Sequence, residues 1–310
     1  MSRIWDSPWT LREGFLIGGG LLLVGLLLEL AVGPVCWDVF QWPFNGVVLA
    51  VFLLIVATVH LLRRRVSAFR FVSTVQAAIP AMTFCVLLTI VMGLTRQRAD
   101  GSWFSNMLTF WPFVLIYVYM ALILGVLVLR QLSSRPLQSS TLSHLGLFIT
   151  MTTATLGNAD MQRLKMICTV GEPEWRALDM QQHVVELPLT IELKRFIMEV
   201  FDDGSPKRFA SDIEIRTLAG EKLLATVDVN KPVEAGGWEI YQYGYDTQMG
   251  IMSSTTILEL VRDPWLPAVY AGIYMMLAGA VLMFISGGRH RNRHNKKTAV
   301  HRNIEQTNNS

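Results

Sequence analysis

The sequence predicts an α+β membrane protein: six transmembrane helices carrying one extracytoplasmic antiparallel β domain. Three observations predict it. Six stretches are apolar over about the 20 residues a helix needs to cross a bilayer core: 14–33, 46–62, 77–95, 108–129, 142–157 and 265–286. The segment 158–264 is more polar, and its apolar residues alternate. Lys and Arg gather in alternate loops. Composition agrees. The 310 residues are 52% hydrophobic and 16% charged, with a mean hydropathy of +0.38. That is too oily for a soluble enzyme and too polar for a bare helical bundle.

The first apolar run follows a polar stretch and is long enough to remain a helix, unlike a cleaved signal. The second and fifth runs are short and need their flanks to complete a span. Arg63, Arg64, Arg65 and Arg70 follow the second run, Arg130 and Arg135 the fourth, and "RHRNRHNKK" the sixth. Placing these on the cytoplasmic side puts both termini there, with Arg3 and Arg12, and puts 158–264 outside. Only Arg96 and Arg98 run against this orientation. The expected organisation is a five-helix transmembrane region (1–157), a β domain (158–264), a last helix (265–286) and a basic cytoplasmic tail (287–310).

Within the β domain, Leu189, Ile191 and Leu193 share one face of an extended run, as do Ile213 with Ile215 and Val227 with Val229. "DDGSP" and "LAGEK" are turn signals. Five to seven strands are expected for a segment of about 100 residues. Gly236 and Gly237 indicate a tight turn or bulge before the next strand. Asp263 and Pro264 suit a helix start. Ala268, Gly272 and Gly279 then permit close helix packing.

The topology brings histidines to one level. His60 ends the second helix, His144 starts the fifth and His290 follows the sixth, all at the cytoplasmic end. Two readings fit. Neutral imidazoles from separate helices can ligate a metal or haem iron. Alternatively they snorkel to headgroups, His290 as part of the basic tail. On the β domain, Tyr241, Tyr243 and Tyr245 alternate along a strand with Trp238 and Ile240 opposite. They form either a partner-binding stripe or an ordinary sheet face. Tryptophans and phenylalanines crowd the outer loops at 35–44 and 102–113, where an aromatic belt at headgroup level accounts for them.

The three cysteines, Cys36, Cys85 and Cys168, form no CxxC or CxxCH. Cys36 and Cys168 can pair only if both meet an oxidising compartment. There is no nucleotide-binding glycine loop, no Ser–His–Asp set and no HExxH, which argues against a hydrolase or an ATP-driven pump. A proton-coupled transporter has little support either, because Glu29 is the main acidic residue within the helices and no internal repeat is evident.

The stretch "MEVFDDGSPKRFASDIEIRTLAGEKLLATVDVNKPVEAGGWEIYQYGYD" (198–246) resembles the extracytoplasmic domain of the ResB family of cytochrome c biogenesis proteins. "LVRDPWLPAVYAGIYMMLAGAVLMF" is similar to the family's last helix. "LSHLGLFITMTTATLGNADMQRLKMICTVGEPEW" is similar to the helix leading into its domain, with a histidine in the first turn. The resemblance spans 142–290. The hairpin at 77–129 is additional to the three helices common in the family, and the tail lacks the tryptophan that often follows the last helix.

The resemblance implies a subunit of a system II cytochrome c maturation complex in the bacterial inner membrane, its β domain periplasmic. The implied cargo is haem b, held transiently by His144, His60 and His290 as candidate ligands. The implied partners are a CcsA-type membrane protein and apocytochrome c, alongside the bilayer and no nucleic acid. This chain lacks the tryptophan-rich haem-handling segment of that partner, so thioether chemistry is expected mainly there. The rival expectation is a scaffold that binds no haem and docks a partner through its β domain.

Overall fold

Thr10 opens the first helix with a capping box: its backbone N–H donates to Glu13 Oε2 at 2.7 Å, and its side chain accepts from the first turn. The computed structural model describes residues 8–98, 101–134, 138–203 and 205–285. Asp160–Pro264 form one compact unit, and the helices before and after it form another.

The helices are α1 (Leu11–Val32), α2 (Phe44–Leu62), a short α3 (Ser67–Val72), α4 (Val75–Leu94), α5 (Trp111–Ser134), α6 (Ser139–Gly157) and α7 (Leu266–Ile285). Among the described residues, five of them (α1, α2, α4, α5 and α7) are long and apolar enough to cross a membrane. These are five of the six expected spans; the sixth is not confirmed by length and apolarity. The stretch at 142–157 does form a helix, α6, but eight of its 19 residues are Ser or Thr. Their hydroxyls are met within the helix: Thr152 donates to Phe148 O at 2.8 Å and Thr153 to Ile149 O at 2.7 Å.

Small residues set the helix spacing. A Cβ on Gly146 of α6 would collide with Gly272 O and lie 2.5 Å from Met276 N, both on α7. One on Gly279 would lie 2.6 Å from Ser143 N. Gly272 and Gly279 thus serve the close packing their spacing indicates. Gly125 of α5 does the same for two neighbours, since a Cβ there would meet Phe148 at 2.8 Å and Val56 at 2.9 Å.

At the end opposite the histidines, tryptophans tie loops to helices. Trp37 Nε1 donates to Leu108 O at 3.0 Å and Trp111 Nε1 to Gly33 O at 2.9 Å. Glu29, buried in α1, accepts from the backbone N–H of Trp111 at 3.1 Å. A carboxylate there meets the positive end of the α5 dipole and one of its orphan donors.

The other unit is an all-antiparallel sheet of eight strands, one more than the upper expectation: β1 (Gln162–Thr169), β2 (Pro173–Leu178), β3 (Val184–Val200), β4 (Pro206–Thr217), β5 (Lys222–Asp228), β6 (Val233–Ala235), β7 (Trp238–Tyr245) and β8 (Thr255–Arg262). Their order is β5-β4-β3-β2-β1-β8-β7-β6, and β5 at one edge packs near β6 and β7 at the other. The sheet is a nearly closed barrel. Leu189, Ile191, Leu193, Ile213, Ile215 and Val227 fill it, as their alternation predicts. Val229 does not: it lies past the end of β5 and is exposed. Gly236 and Gly237, both at positive φ (57° and 79°), form the two-residue turn that joins β6 to β7.

A polar trio crosses the barrel interior. Ser211 Oγ of β4 donates to Gln242 Oε1 of β7 at 2.6 Å, and Gln242 Nε2 donates to Thr256 Oγ1 of β8 at 2.8 Å. β4 is not a sheet neighbour of β7 or β8, so the trio braces the closure.

On the outer face Glu214 is gripped by three cations: Arg216 at 2.6 Å, Lys222 at 3.0 Å and Lys194 at 3.2 Å. Bonds from Lys222 and then Arg216 hold its carboxyl down at about 2, against an ordinary 4.5. Its stabilisation is therefore present above the ordinary value and lost as pH falls through the folded one. The melting temperature of the β unit, followed in the full chain, is expected to fall between about pH 4.5 and pH 2. Glu214→Gln should be less stable at neutral pH and flatter across that window.

Cys168 lies fully buried inside the barrel, and burial pushes its thiol up to about 12. Cys36 is exposed, and all three cysteines are free. A pairing of Cys36 with Cys168 is not formed. In the folded chain, maleimide should modify Cys36 and spare Cys168 until denaturant is added.

Candidate functional site

Three helices converge at Gly125. From that contact, His60 lies one turn along α2 from Val56, and His144 lies one turn back along α6 from Phe148. Residues four apart share a helix face, so both histidines lie on the faces turned towards α5. Because α2 runs towards this end and α6 away from it, both reach the last turns of α5.

There each imidazole meets an α5 side chain. His144 Nδ1 lies 3.2 Å from Gln131 Oε1. His60 Nε2 lies 3.4 Å from Ser133 Oγ, whose own hydrogen goes to Leu129 O at 2.7 Å. His60 Nδ1 lies 3.0 Å from Arg63 Nη1. Both histidines are half-buried.

In the neutral rings these partners favour one tautomer each. Gln131 Oε1 only accepts, so His144 carries its proton on Nδ1 and keeps the Nε2 lone pair free. In metal sites, an acceptor behind the ring orients the imidazole in this same way. His60 is the reverse. Arg63 only donates, so Nδ1 holds the lone pair and Nε2 carries the proton towards Ser133. His144 is ready to ligate at Nε2, whereas His60 must first exchange tautomers.

The end is strongly basic. Arg130 Nη1 donates to Ser73 O at 2.7 Å and Arg70 Nη2 to Arg64 O at 3.3 Å, which fastens α3 across the bundle end. The sequence has no Asp or Glu between Asp38 and Asp100, nor between Asp100 and Asp160. Among the described residues no set of three or more His, Cys, Asp or Glu can hold a metal ion. What this end offers is two imidazoles, each against its own side of the last turns of α5, since Gln131 and Ser133 stand two positions apart; two is the number of axial positions on a haem iron.

His290 lies outside the described residues. On the β unit, Tyr241 and Tyr243 face outward, Tyr241 opposite Glu259 and Tyr243 beneath Lys165 Nζ at 3.8 Å from the ring centroid. A bulge between Gln242 and Gly244 breaks the alternation. Tyr245 pairs with the buried Thr256 and packs against Phe196 (5.3 Å) and Phe209 (5.1 Å). The expected three-tyrosine stripe is thus two residues: Tyr245 turns inward, half-buried, and Trp238 is buried. Gln131, Ser133 and Arg63 were missed by sequence reasoning. Their only signal is polar residues ending apolar runs, which every membrane helix shows.

The sequence profile of the ResB-like family matches residues 139–257. The cytochrome c biogenesis protein CcsB of Prochlorococcus marinus subsp. pastoris is 27% identical over 135 residues, 43% of this chain and 31% of that protein. The chloroplastic cytochrome c biogenesis protein CCS1 of Arabidopsis thaliana is 38% identical over 53 residues, 17% of this chain and 10% of that one. The chain thus spans less than a third of the length of either relative. The solved cytochrome c haem lyase CcmF aligns over 89% of this chain and 46% of its own at 15% identity, with a TM-score of 0.34, too low to call the fold shared. Residues 139–257, which take in α6 and nearly all of the β unit, thus match the ResB-like family, and the relatives similar to this chain are cytochrome c biogenesis proteins.

Proposed function

We propose that this chain is a membrane subunit of a cytochrome c maturation complex that receives haem at the basic end of its helices. The observation that carries the reading is the placement of two imidazoles, from α2 and α6, against the same end of α5. His144 supplies the first iron ligand through its free Nε2, and His60 the second after tautomer exchange. Two imidazoles leave no open axial position, which suits carriage without oxygen chemistry. His290 remains a candidate third imidazole.

In this reading the arginine-rich end is cytoplasmic, both termini lie on that side and the β domain is periplasmic. Haem b is cargo, passed to a CcsA-type partner for attachment to apocytochrome c. Tyr241 and Tyr243, with Lys165, offer that partner or the apocytochrome an amphipathic patch. Tyr245 and Trp238 shape the domain from inside. The chain acts as an accessory to the synthase, without a catalytic residue of its own.

The test is to purify the chain with its partner and record the haem spectrum. A low-spin spectrum lost in His144→Ala supports haem carriage. A spectrum untouched by His144→Ala and His60→Ala supports the scaffold alternative.

A further inference from the structure

Arg63 spends its guanidinium on an imidazole. Its Nη1 donates to His60 Nδ1 at 3.0 Å, and no carboxylate pairs with it among the described residues. Glu13, in the first turn of α1, is engaged by Thr10. A half-buried cation with a neutral partner is under-used, because a guanidinium bonds a carboxylate far better, often through two parallel bonds. The cost falls on His60. While Arg63 donates to Nδ1, the Nε2 position carries a hydrogen aimed at Ser133 Oγ, and neither nitrogen presents a free lone pair.

We propose that Arg63 makes ligation by His60 conditional on a carboxylate, so that this helix end selects a porphyrin with free propionate groups. The inference rests on the reading that the site takes haem. A propionate arriving at Arg63 draws the guanidinium off Nδ1. The imidazole then loses its Nε2 proton to solvent and gains one at Nδ1, with no net change in charge. The Nε2 lone pair forms the bond to iron. The Arg63–His60 and His60–Ser133 bonds are exchanged for an Arg–carboxylate bond and an iron–imidazole bond. His144 needs no such release, because Gln131 already holds its proton on Nδ1.

The test titrates the full chain in detergent with haem and with haem dimethyl ester, which has the same iron and ring but no carboxylates. The native chain should bind haem about tenfold more tightly than the ester, the scale of one charge-assisted hydrogen bond. It should give a low-spin spectrum with haem and a largely high-spin one with the ester. Arg63→Gln should move the two ligands in opposite directions: haem weakens, while the ester tightens and becomes low-spin because His60 is released. Arg64→Gln removes the same charge one residue on, without the imidazole contact, and should leave the preference in place.

If Arg63→Gln weakens haem and leaves the ester unchanged, Arg63 is a plain propionate partner and the coupling is overturned while haem carriage stands. Equal effects on both ligands overturn it as well. If His144→Ala alters neither titration, the reading of the site as a haem site fails, and this proposal falls with it.

Discussion

Replacing His144 by alanine is expected to lower haem affinity by more than about 100-fold and to abolish the low-spin spectrum. The scale follows from the loss of groups that merely orient a ligand, which costs roughly 10- to 100-fold in metal affinity; loss of the ligand itself exceeds that. His144 carries the larger share because its Nε2 lone pair is already exposed by the bond to Gln131. His60→Ala should cost less, since part of that bond's free energy goes into parting the ring from Arg63 and Ser133. Gln131→Leu supplies an internal check. It leaves His144 in place but removes the acceptor that orients the ring, so it should fall between native and His144→Ala. The measurement is a haem titration of each purified variant followed by absorption.

Gly146→Leu is expected to produce the largest structural effect. The new Cβ would collide with Gly272 O and sit 2.5 Å from Met276 N, both backbone atoms that no rotamer change can move. α7 must withdraw from α6, at a cost of about 3 kcal/mol, the upper end for overpacking. Since His144 lies two residues away on α6, the shift should also weaken haem binding. Gly19→Leu is the control, because a Cβ at Gly19 meets nothing within 4 Å. Thermal unfolding in detergent compares the two; similar losses would refute the packing assigned to Gly146.

Much of this was legible in the sequence, for physical reasons that also explain the misses. Five apolar runs became helices of the required length because nothing else satisfies the backbone in lipid. α6 differs because hydropathy counts a threonine as polar even where its hydroxyl bonds its own helix. Inward residues of β3 and β4 obeyed period two. Tyr245 did not, because a bulge inserts one residue and reverses the faces beyond it. The convergence of His60 and His144 on one level needed only the helix count between them. Their tautomers were beyond reach, since these depend on which atoms of Gln131, Arg63 and Ser133 arrive from one helix or the next.

The central claim is that His144 Nε2 binds the iron. The most direct measurement is the absorption spectrum of haem-loaded His144→Gly before and after adding free imidazole. The account predicts that the low-spin bands are missing in the variant and return as imidazole fills the vacated position. Native bands in the variant without imidazole, or none after its addition, would contradict it.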